Sequence, residues 1–156
     1  MNRKRNIQGF IKPKNIGLGL QIYHVSRRFH GFKFYRNNDE EYWLGKLTPT
    51  EKSNTYTVKI NYLYKKVPKV YVIEPQILRN SPHIYPDKSL CLYYPKDFSF
   101  DKKTSLIADT IIPWTAEWLY FYEIWMETGI WWGNEAPHTV SNLANKKGEF
   151  YSVKLG

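Results

Sequence analysis

The residue of this sequence with the clearest chemical potential is its single cysteine, Cys91, in the run Ser89-Leu90-Cys91-Leu92-Tyr93. One thiol has no partner for an intramolecular disulfide, so Cys91 is either an inert buried side chain or a nucleophile. A free cysteine between leucines is more often a core residue. As a nucleophile, its thiolate would form a covalent intermediate with a substrate.

A long loop precedes the cysteine and carries further polar side chains. The stretch from Gln76 to Lys88 contains His83, Tyr85 and Asp87. Long loops inside compact domains are usually functional or disordered. We expect this loop to lead into a short strand that holds Cys91.

The elements that position the loop begin with a helix. Residues 1–15 are basic and lack hydrophobic periodicity, so they predict an N-terminal arm, and residues 16–156 predict a single domain. After the arm, apolar residues recur at spacings of four, three and four, which predicts one buried helical stripe that stops near Gly31. The residues of this stripe are Leu18, Ile22, Val25 and Phe29.

Four strands are predicted next, as an antiparallel meander. The clearest runs from Tyr56 to Tyr64, where side chains for the core alternate with polar ones. Before it, segments 32–35 and 42–47 flank a polar turn and predict a hairpin. After it, the segment from Lys69 to Ile73 is rich in β-branched and aromatic residues.

A second helix is predicted after Cys91, beginning at Thr104 or Ser105 and ending at Gly129. Pro113 indicates a kink or a fresh start, because proline lacks a backbone donor and suits the first helical turn. Core packing explains the helical spacing of the aromatic stripe, and a cofactor or sugar platform is the alternative. The stripe comprises Ile107, Ile111, Trp114, Trp118, Leu119, Tyr122 and Trp125.

Composition narrows the class of protein. With 156 residues and 42% hydrophobic content, the chain is long enough for one globular core. The lack of disulfide pairs, of a membrane-length apolar stretch and of a signal peptide predicts a cytoplasmic protein. The net charge of +9 suggests nucleic acid, but the basic pairs are scattered, which favours a solvated surface or an acidic protein partner. We find no glycine-rich phosphate loop or metal-ligand spacing, so no cofactor and no metal are predicted.

The order of elements resembles the ubiquitin-conjugating enzyme family over roughly Leu18 to Gly129. In that family a Pro-x-Val-x-Phe-like strand leads through a loop with a His-Pro-Asn motif to Ile-Cys-Leu, which holds the catalytic cysteine. Here Pro68-Lys69-Val70-Tyr71-Val72 stands for the strand, His83 for the motif histidine and Leu90-Cys91-Leu92 for the active site. Ile84 and Tyr85 replace the proline and asparagine. The resemblance implies an α+β fold with an N-terminal helix, a four-stranded antiparallel meander, an active-site loop and C-terminal helices.

The region after the cysteine is similar to bacterial members of that superfamily, encoded beside cyclic-oligonucleotide synthases in antiphage signalling (CBASS) operons. The matching residues are Trp118-Leu119-Tyr120-Phe121-Tyr122-Glu123, Thr128-Gly129-Ile130-Trp131 and His138. The resemblance implies an enzyme that carries a protein C-terminus on Cys91 as a thioester and transfers it to an acceptor amine. The implied cargo is the operon's nucleotide cyclase, of the CD-NTase type. An activating enzyme, encoded separately or absent, is also implied.

Such chemistry needs a group that deprotonates the incoming lysine and a donor that stabilises the oxyanion. Three aspartates are candidates for the first role: Asp87, Asp97 and Asp101. Three side chains are candidates for the second role: His83, Tyr85 and His138.

Each of these residues also has a structural interpretation. His83 would pin the loop through backbone hydrogen bonds, and Tyr85 would pack against its neighbours. Asp87, next to Lys88, suits an exposed turn. His138 reaches the site if the C-terminal segment folds back over it.

Other functions also remain open. A noncatalytic relative would use the same fold to bind a cyclase or a ubiquitin-like protein. A nucleic-acid binder would lose affinity steeply as salt rises. A cysteine protease would pair Cys91 with His83 or His138, but the thiol of such an enzyme usually lies at a helix N-terminus, whereas Cys91 is predicted in a strand-like run.

Overall fold

The fold consists of a helix, an antiparallel sheet and a second helix, in that order along the chain. The computed structural model describes residues 16–63, 66–94 and 98–133. This arrangement confirms the predicted α+β class with its N-terminal helix, four-stranded antiparallel sheet and helix after the cysteine. The elements are α1 (Leu18–Arg28), β1 (Lys33–Arg36), β2 (Glu41–Leu47), β3 (Tyr56–Asn61), β4 (Lys69–Glu74) and α2 (Ile111–Thr128).

The sheet is a meander in which each strand pairs with the next one along the chain. Strand β3 shows why the alternation was informative, because Tyr56, Val58 and Ile60 are all buried while the residues between them are half-buried. The strand ends at Asn61, short of the predicted Tyr64, which lies outside the described residues. Beyond the strand, the amide of Lys66 donates to the carbonyl of Leu63.

The core lies between one face of the sheet and the two helices. It joins Val25 of α1, Trp43 of β2 and Leu119 of α2, each nearly or fully buried. Gly45 of β2 is required by this packing, because a Cβ atom there would lie 2.3 Å from the ring of Phe32.

Helix α1 follows the predicted stripe and contains one buried polar residue. Val25 is fully buried, as expected, and so is Gln21. The Gln21 side chain donates from Nε2 to the carbonyl of Ser105 at 2.8 Å and accepts at Oε1 from the amide of Ile107 at 2.9 Å. The helix therefore holds the segment that precedes α2 through two long-range hydrogen bonds.

Helix α2 begins at Ile111, so the predicted start at Thr104 or Ser105 was wrong. Residues 101–110 form turns, and Gln21 binds two backbone groups in this segment, at Ser105 and Ile107. Pro113 is the third residue of the helix, where its missing N–H removes no helical hydrogen bond, so the predicted fresh start is confirmed. Gly129 ends the helix in the left-handed region with φ 72°, as predicted. Among the described residues, α2 is the one helix after the cysteine.

Candidate active site

Backbone hydrogen bonds hold the loop before Cys91 to the sheet at one end and to itself. The amide of Leu90 donates to the carbonyl of Val70 in β4, and the amide of Cys91 donates to the carbonyl of His83, both at 2.9 Å. The predicted strand at Cys91 is reduced to an isolated bridge between Ile84 and Leu90, and Cys91 follows it in irregular structure. The prediction of a strand was wrong because His83, next to the bridge residue Ile84, has a left-handed backbone with φ 57°, which interrupts the extended conformation that a longer ladder needs.

The chain reverses in a tight turn between Tyr85 and Ser89. The amide of Tyr85 donates to the carbonyl of Ser89 at 2.9 Å, and the amide of Lys88 donates back to the carbonyl of Tyr85 at 2.8 Å. Lys88 adopts φ 69°, a left-handed conformation that tight turns often require. The turn therefore returns the chain to the level of Tyr85 just before Cys91.

Cys91 is half-buried and lines a cavity. Its Sγ is 3.7 Å from the carbonyl oxygen of Tyr93. The cavity has a volume of about 60 Å³, and its lining includes His83, Glu117 and Trp131. Cys91 is therefore not an enclosed core residue.

Tyr85 is close enough to Cys91 for the two side chains to influence each other. Interaction with the sulfur of Cys91, with burial as a further cause, raises the pKa of Tyr85 to about 12. A phenol with so high a pKa remains a proton donor throughout the neutral range. The structure thus brings Tyr85 close to Cys91.

His83 supports the site through its backbone. Its carbonyl accepts from the amide of Cys91 at 2.9 Å and from the indole Nε1 of Trp118 at 3.2 Å. The backbone of His83 is left-handed, with φ 57°, and its ring lies 4.9 Å from that of Trp131. These contacts match the interpretation of His83 as a residue that pins the loop, and its ring also lines the cavity.

Asp87 is the centre of the polar contacts in the turn. Its Oδ1 accepts from the amide of Ser89 at 3.0 Å and from the Ser89 hydroxyl at 2.6 Å, and its Oδ2 pairs with Lys69. Lys69 and then Ser89 hold the pKa of Asp87 well below its usual range. A carboxylate stabilised in this way is a weak base, so these contacts favour the exposed-turn interpretation over proton abstraction.

The other predicted side chains are not brought to the thiol by the described residues. Asp101 lies in the turn before α2, where its Oδ1 accepts from the amide of Lys103 at 2.8 Å, and it does not line the cavity. Asp97 and His138 lie outside the described residues. In the part of the chain that the structure describes, no group of three or more His, Cys, Asp and Glu side chains is placed to hold a metal ion. In the same part, no helix is both long and apolar enough to cross a membrane.

Two residues at the cavity were missed from the sequence, Glu117 and Trp131. Glu117 lies three residues after Trp114 and four before Phe121, so helical spacing places it on the face that borders Cys91. The sequence assigned the aromatic stripe to core packing. Trp118 fits that assignment, because it is 4% exposed and its ring stacks on that of Tyr122. The helical spacing of Glu117 from Trp114 and Phe121 was the signal in the sequence from which its position could have been predicted.

The chain was also compared with known proteins. A family model described as a type II CBASS E2 protein matches residues 21–139, which include Tyr85, Cys91, Glu117 and Trp131. No curated protein gives a significant match. Because the matched range covers more than half of the sequence, the chain belongs to the family of type II CBASS E2 proteins.

Proposed function

We propose that this E2-like protein of CBASS antiphage operons carries a protein C-terminus on Cys91 as a thioester and transfers it to an amine. One observation carries the proposal. The chain's single cysteine is half-buried, lines a small cavity and interacts with Tyr85, a side chain that stays neutral at physiological pH. The family assignment supports conjugation as the general class of activity.

The reaction consists of two acyl transfers. In the first, the thiolate of Cys91 attacks the carbonyl carbon of a C-terminus that is already activated as a thioester. A new C–S bond forms, the carbonyl electron pair moves onto oxygen, and collapse of this intermediate expels the donor thiolate. In the second, the acceptor amine attacks the Cys91 thioester, loses a proton to a base, and expels the Cys91 thiolate as the amide forms.

The contacts around Cys91 suit both transfers. Tyr85 interacts with Cys91, and its phenol is a donor for the sulfur, which is the nucleophile of the first transfer and the leaving group of the second. The backbone bond from Cys91 to His83 and the Asp87 turn fix the approach to the sulfur. A thioester is reactive enough that positioning and charge stabilisation account for most of the required catalysis.

The cargo we propose is the C-terminus of the operon's nucleotide cyclase, delivered by an activating enzyme of separate origin. The support is the resemblance of the sequence to the operon-encoded superfamily members and the family match. We further propose that residues 16–156 form one domain of the ubiquitin-conjugating type. In this view the loop from Gln76 to Lys88 is its active-site loop, and the protein acts in the cytoplasm.

Intact-mass spectrometry of the protein purified after co-expression with its operon neighbours tests this function. We expect a mass increase equal to the mass of the cyclase less one water, mapped to Cys91 and removed by thiol. The Cys91→Ala variant is the control, and it should purify without the adduct. A competent reconstitution in which the wild-type protein stays unmodified would instead favour the noncatalytic binding module.

Glu117 is the residue we expect to assist the second transfer. Its exposed carboxylate borders the same cavity as Cys91, where an incoming amine must lose a proton. We expect Glu117→Gln to slow transfer to the amine by about 100-fold, within the range of general base catalysis, while thioester formation continues at its normal rate. Single-turnover discharge of the preformed thioester onto free lysine measures the effect.

The control for this experiment is Glu127→Gln, which removes an exposed carboxylate of α2 that does not line the cavity. It should discharge at the wild-type rate. If Glu117→Gln also discharges at that rate, the base lies elsewhere. A loss of thioester formation in Glu117→Gln would show that the carboxylate acts in the first transfer.

A further inference from the structure

Strand β4 and the loop that leads to Cys91 together line a large groove. The lining includes residues 71–73 of β4, residues 76–79 of the following segment and residues 84–86 before the cysteine. We call this surface the β4 groove. Its volume of about 880 Å³ falls within the range of roughly 300 to 1000 Å³ that is typical of ligand sites. The groove therefore has room for several side chains of a partner.

Large apolar side chains of the β4 groove are exposed to solvent. Ile73 is 47% exposed, Leu78 is 50% exposed and Tyr85 is 44% exposed, and all three line the groove. Single exposed apolar residues are common on protein surfaces, whereas a group of them on one surface is typical of an interaction site. Apolar side chains of a partner would bury these three residues.

The charges of the β4 groove all have the same sign. Its charged lining residues are Lys59, Arg79 and Lys88. The Nζ of Lys59 is neutralised by the carboxylate of Glu40, at 2.7 Å and 2.9 Å from its two oxygens. The side chains of Arg79 and Lys88 form no ion pair with the described residues. Two positive charges are thus available in the groove, and acidic side chains are their complement.

The groove is formed before any partner binds. On one side, the amide of Leu78 donates to the hydroxyl of Tyr122 at 3.0 Å, and its carbonyl accepts from the amide of Ser81 at 3.1 Å. On the other side, the bridge between Ile84 and Leu90 fixes the segment before the cysteine. A surface held in this way loses little conformational freedom on binding, which favours affinity.

The β4 groove adjoins the residues of the candidate active site. Tyr85 lines the groove and also interacts with Cys91. Leu90, another lining residue, directly precedes Cys91 in the chain. A protein held in the groove would keep its C-terminus near the thiol and so raise the effective concentration of that C-terminus.

Nucleic acid is the other class of partner that a basic groove attracts. Sites for nucleic acid rely on a row of Lys and Arg side chains for the phosphates and on aromatic side chains that stack on bases. Among the described residues, the β4 groove instead offers two unpaired cations beside the aliphatic side chains of Ile73 and Leu78. A protein segment with both acidic and apolar side chains is the better match.

We propose that the β4 groove is a docking site for the cargo protein, which presents acidic side chains to Arg79 and Lys88 and apolar side chains to Ile73 and Leu78. This inference rests on the proposed function, because it concerns the protein whose C-terminus Cys91 would carry. Docking in the groove is noncovalent and precedes the acyl transfer. It selects the cargo by a surface outside the reacting C-terminus.

The test measures the Kd between purified nucleotide cyclase and the Cys91→Ala protein, which cannot form a thioester, by isothermal titration calorimetry. In this background, Arg79→Glu together with Lys88→Glu should weaken binding by about 10-fold or more, because attractive contacts become repulsive. The control is Lys46→Glu together with Lys52→Glu, the same charge change at two exposed positions that do not line the groove. It should bind within about twofold of the parent, since exposed charges outside a contact are largely screened by salt.

A second pair of variants tests the apolar part of the docking surface. Leu78→Ala should weaken binding by about 10-fold, because the cargo then buries less apolar area. The matched control is Leu20→Ala, the same substitution at a position of α1 that is 38% exposed and does not line the groove. It should leave the Kd unchanged. Circular dichroism of all four variants should match that of the parent, since the substituted side chains are exposed.

The outcomes separate this inference from the proposed function. Weaker cyclase binding by the groove variants beside normal controls supports docking. Binding unchanged by the groove variants, equally weakened by the controls or absent from the parent overturns docking, and the thioester function stands if the wild-type protein still charges. Tighter binding of a single-stranded oligonucleotide than of the cyclase, lost on substitution of Arg79 and Lys88, also overturns it. If the groove variants bind weakly but the wild-type protein never charges in a competent reconstitution, docking stands and the thioester function fails.

Discussion

Replacing Cys91 with serine should abolish transfer to the amine and leave a different, more stable adduct. A serine oxygen in the same position still attacks an activated carbonyl, but the resulting oxyester is less reactive than a thioester toward both amines and thiols. We expect the amount of amide product to fall by about 1000-fold or more, the scale seen when an acyl-transfer nucleophile is lost. The adduct that accumulates should resist thiol and be cleaved by hydroxide.

The measurement is a gel and intact-mass comparison of wild-type, Cys91→Ser and Cys91→Ala proteins, each treated with thiol and with hydroxide. The alanine variant should carry no adduct under either condition. Amide formation by the alanine variant at the wild-type level would contradict a covalent role for Cys91. It would also remove the premise on which Glu117 was assigned.

The second large effect is on stability and concerns Gln21. Gln21→Met keeps the length and helix preference of the side chain but leaves the carbonyl of Ser105 and the amide of Ile107 without partners. Each unsatisfied backbone group costs about 1 to 3 kcal/mol, so we expect the free energy of unfolding to fall by about 3 kcal/mol. Urea titration followed by tryptophan fluorescence provides the measurement.

The matched control is Tyr23→Met, which introduces the same side chain two residues away, at a position that is 55% exposed. It should change stability by less than about 0.5 kcal/mol, as most surface substitutions do. Equal unfolding midpoints for Gln21→Met and wild type would show that water satisfies both backbone groups. In that case α1 would hold the segment before α2 by apolar packing alone.

The strands and the first helix were predictable because their signals are local. The alternation in β3 reflects one face against the core, and Val58 and Ile60 are both fully buried. Gly129 ended α2 as predicted, because the left-handed conformation is favourable for glycine.

The start of α2 was not predictable, because it depends on a contact between distant parts of the chain. Gln21 is separated by 84 residues from Ser105, whose carbonyl it binds. No periodicity within residues 101–110 reports that contact. A polar residue in an apolar helical stripe was the one hint that α1 makes specific hydrogen bonds.

The candidate site was predictable in part. Cys91 and the loop before it were evident from residue type and order. Tyr85 lies close to Cys91 because the turn between Tyr85 and Ser89 brings the chain back beside Tyr85. Glu117 and Trp131 reach the cavity only through the packing of α2 and the residues after it. Their distance from Cys91 along the sequence hid their proximity, and both are of types that also serve as surface or core residues.

The hydrogen bond from Leu90 to Val70 has a consequence for self-association. Strand β4 lies at an edge of the sheet, and the open edge of a strand is a template on which other chains add strands. By capping the Val70 carbonyl, the loop that leads to Cys91 blocks that template at one position. Residues that hold this loop in place thus contribute to keeping the chains apart from one another, in addition to positioning the thiol.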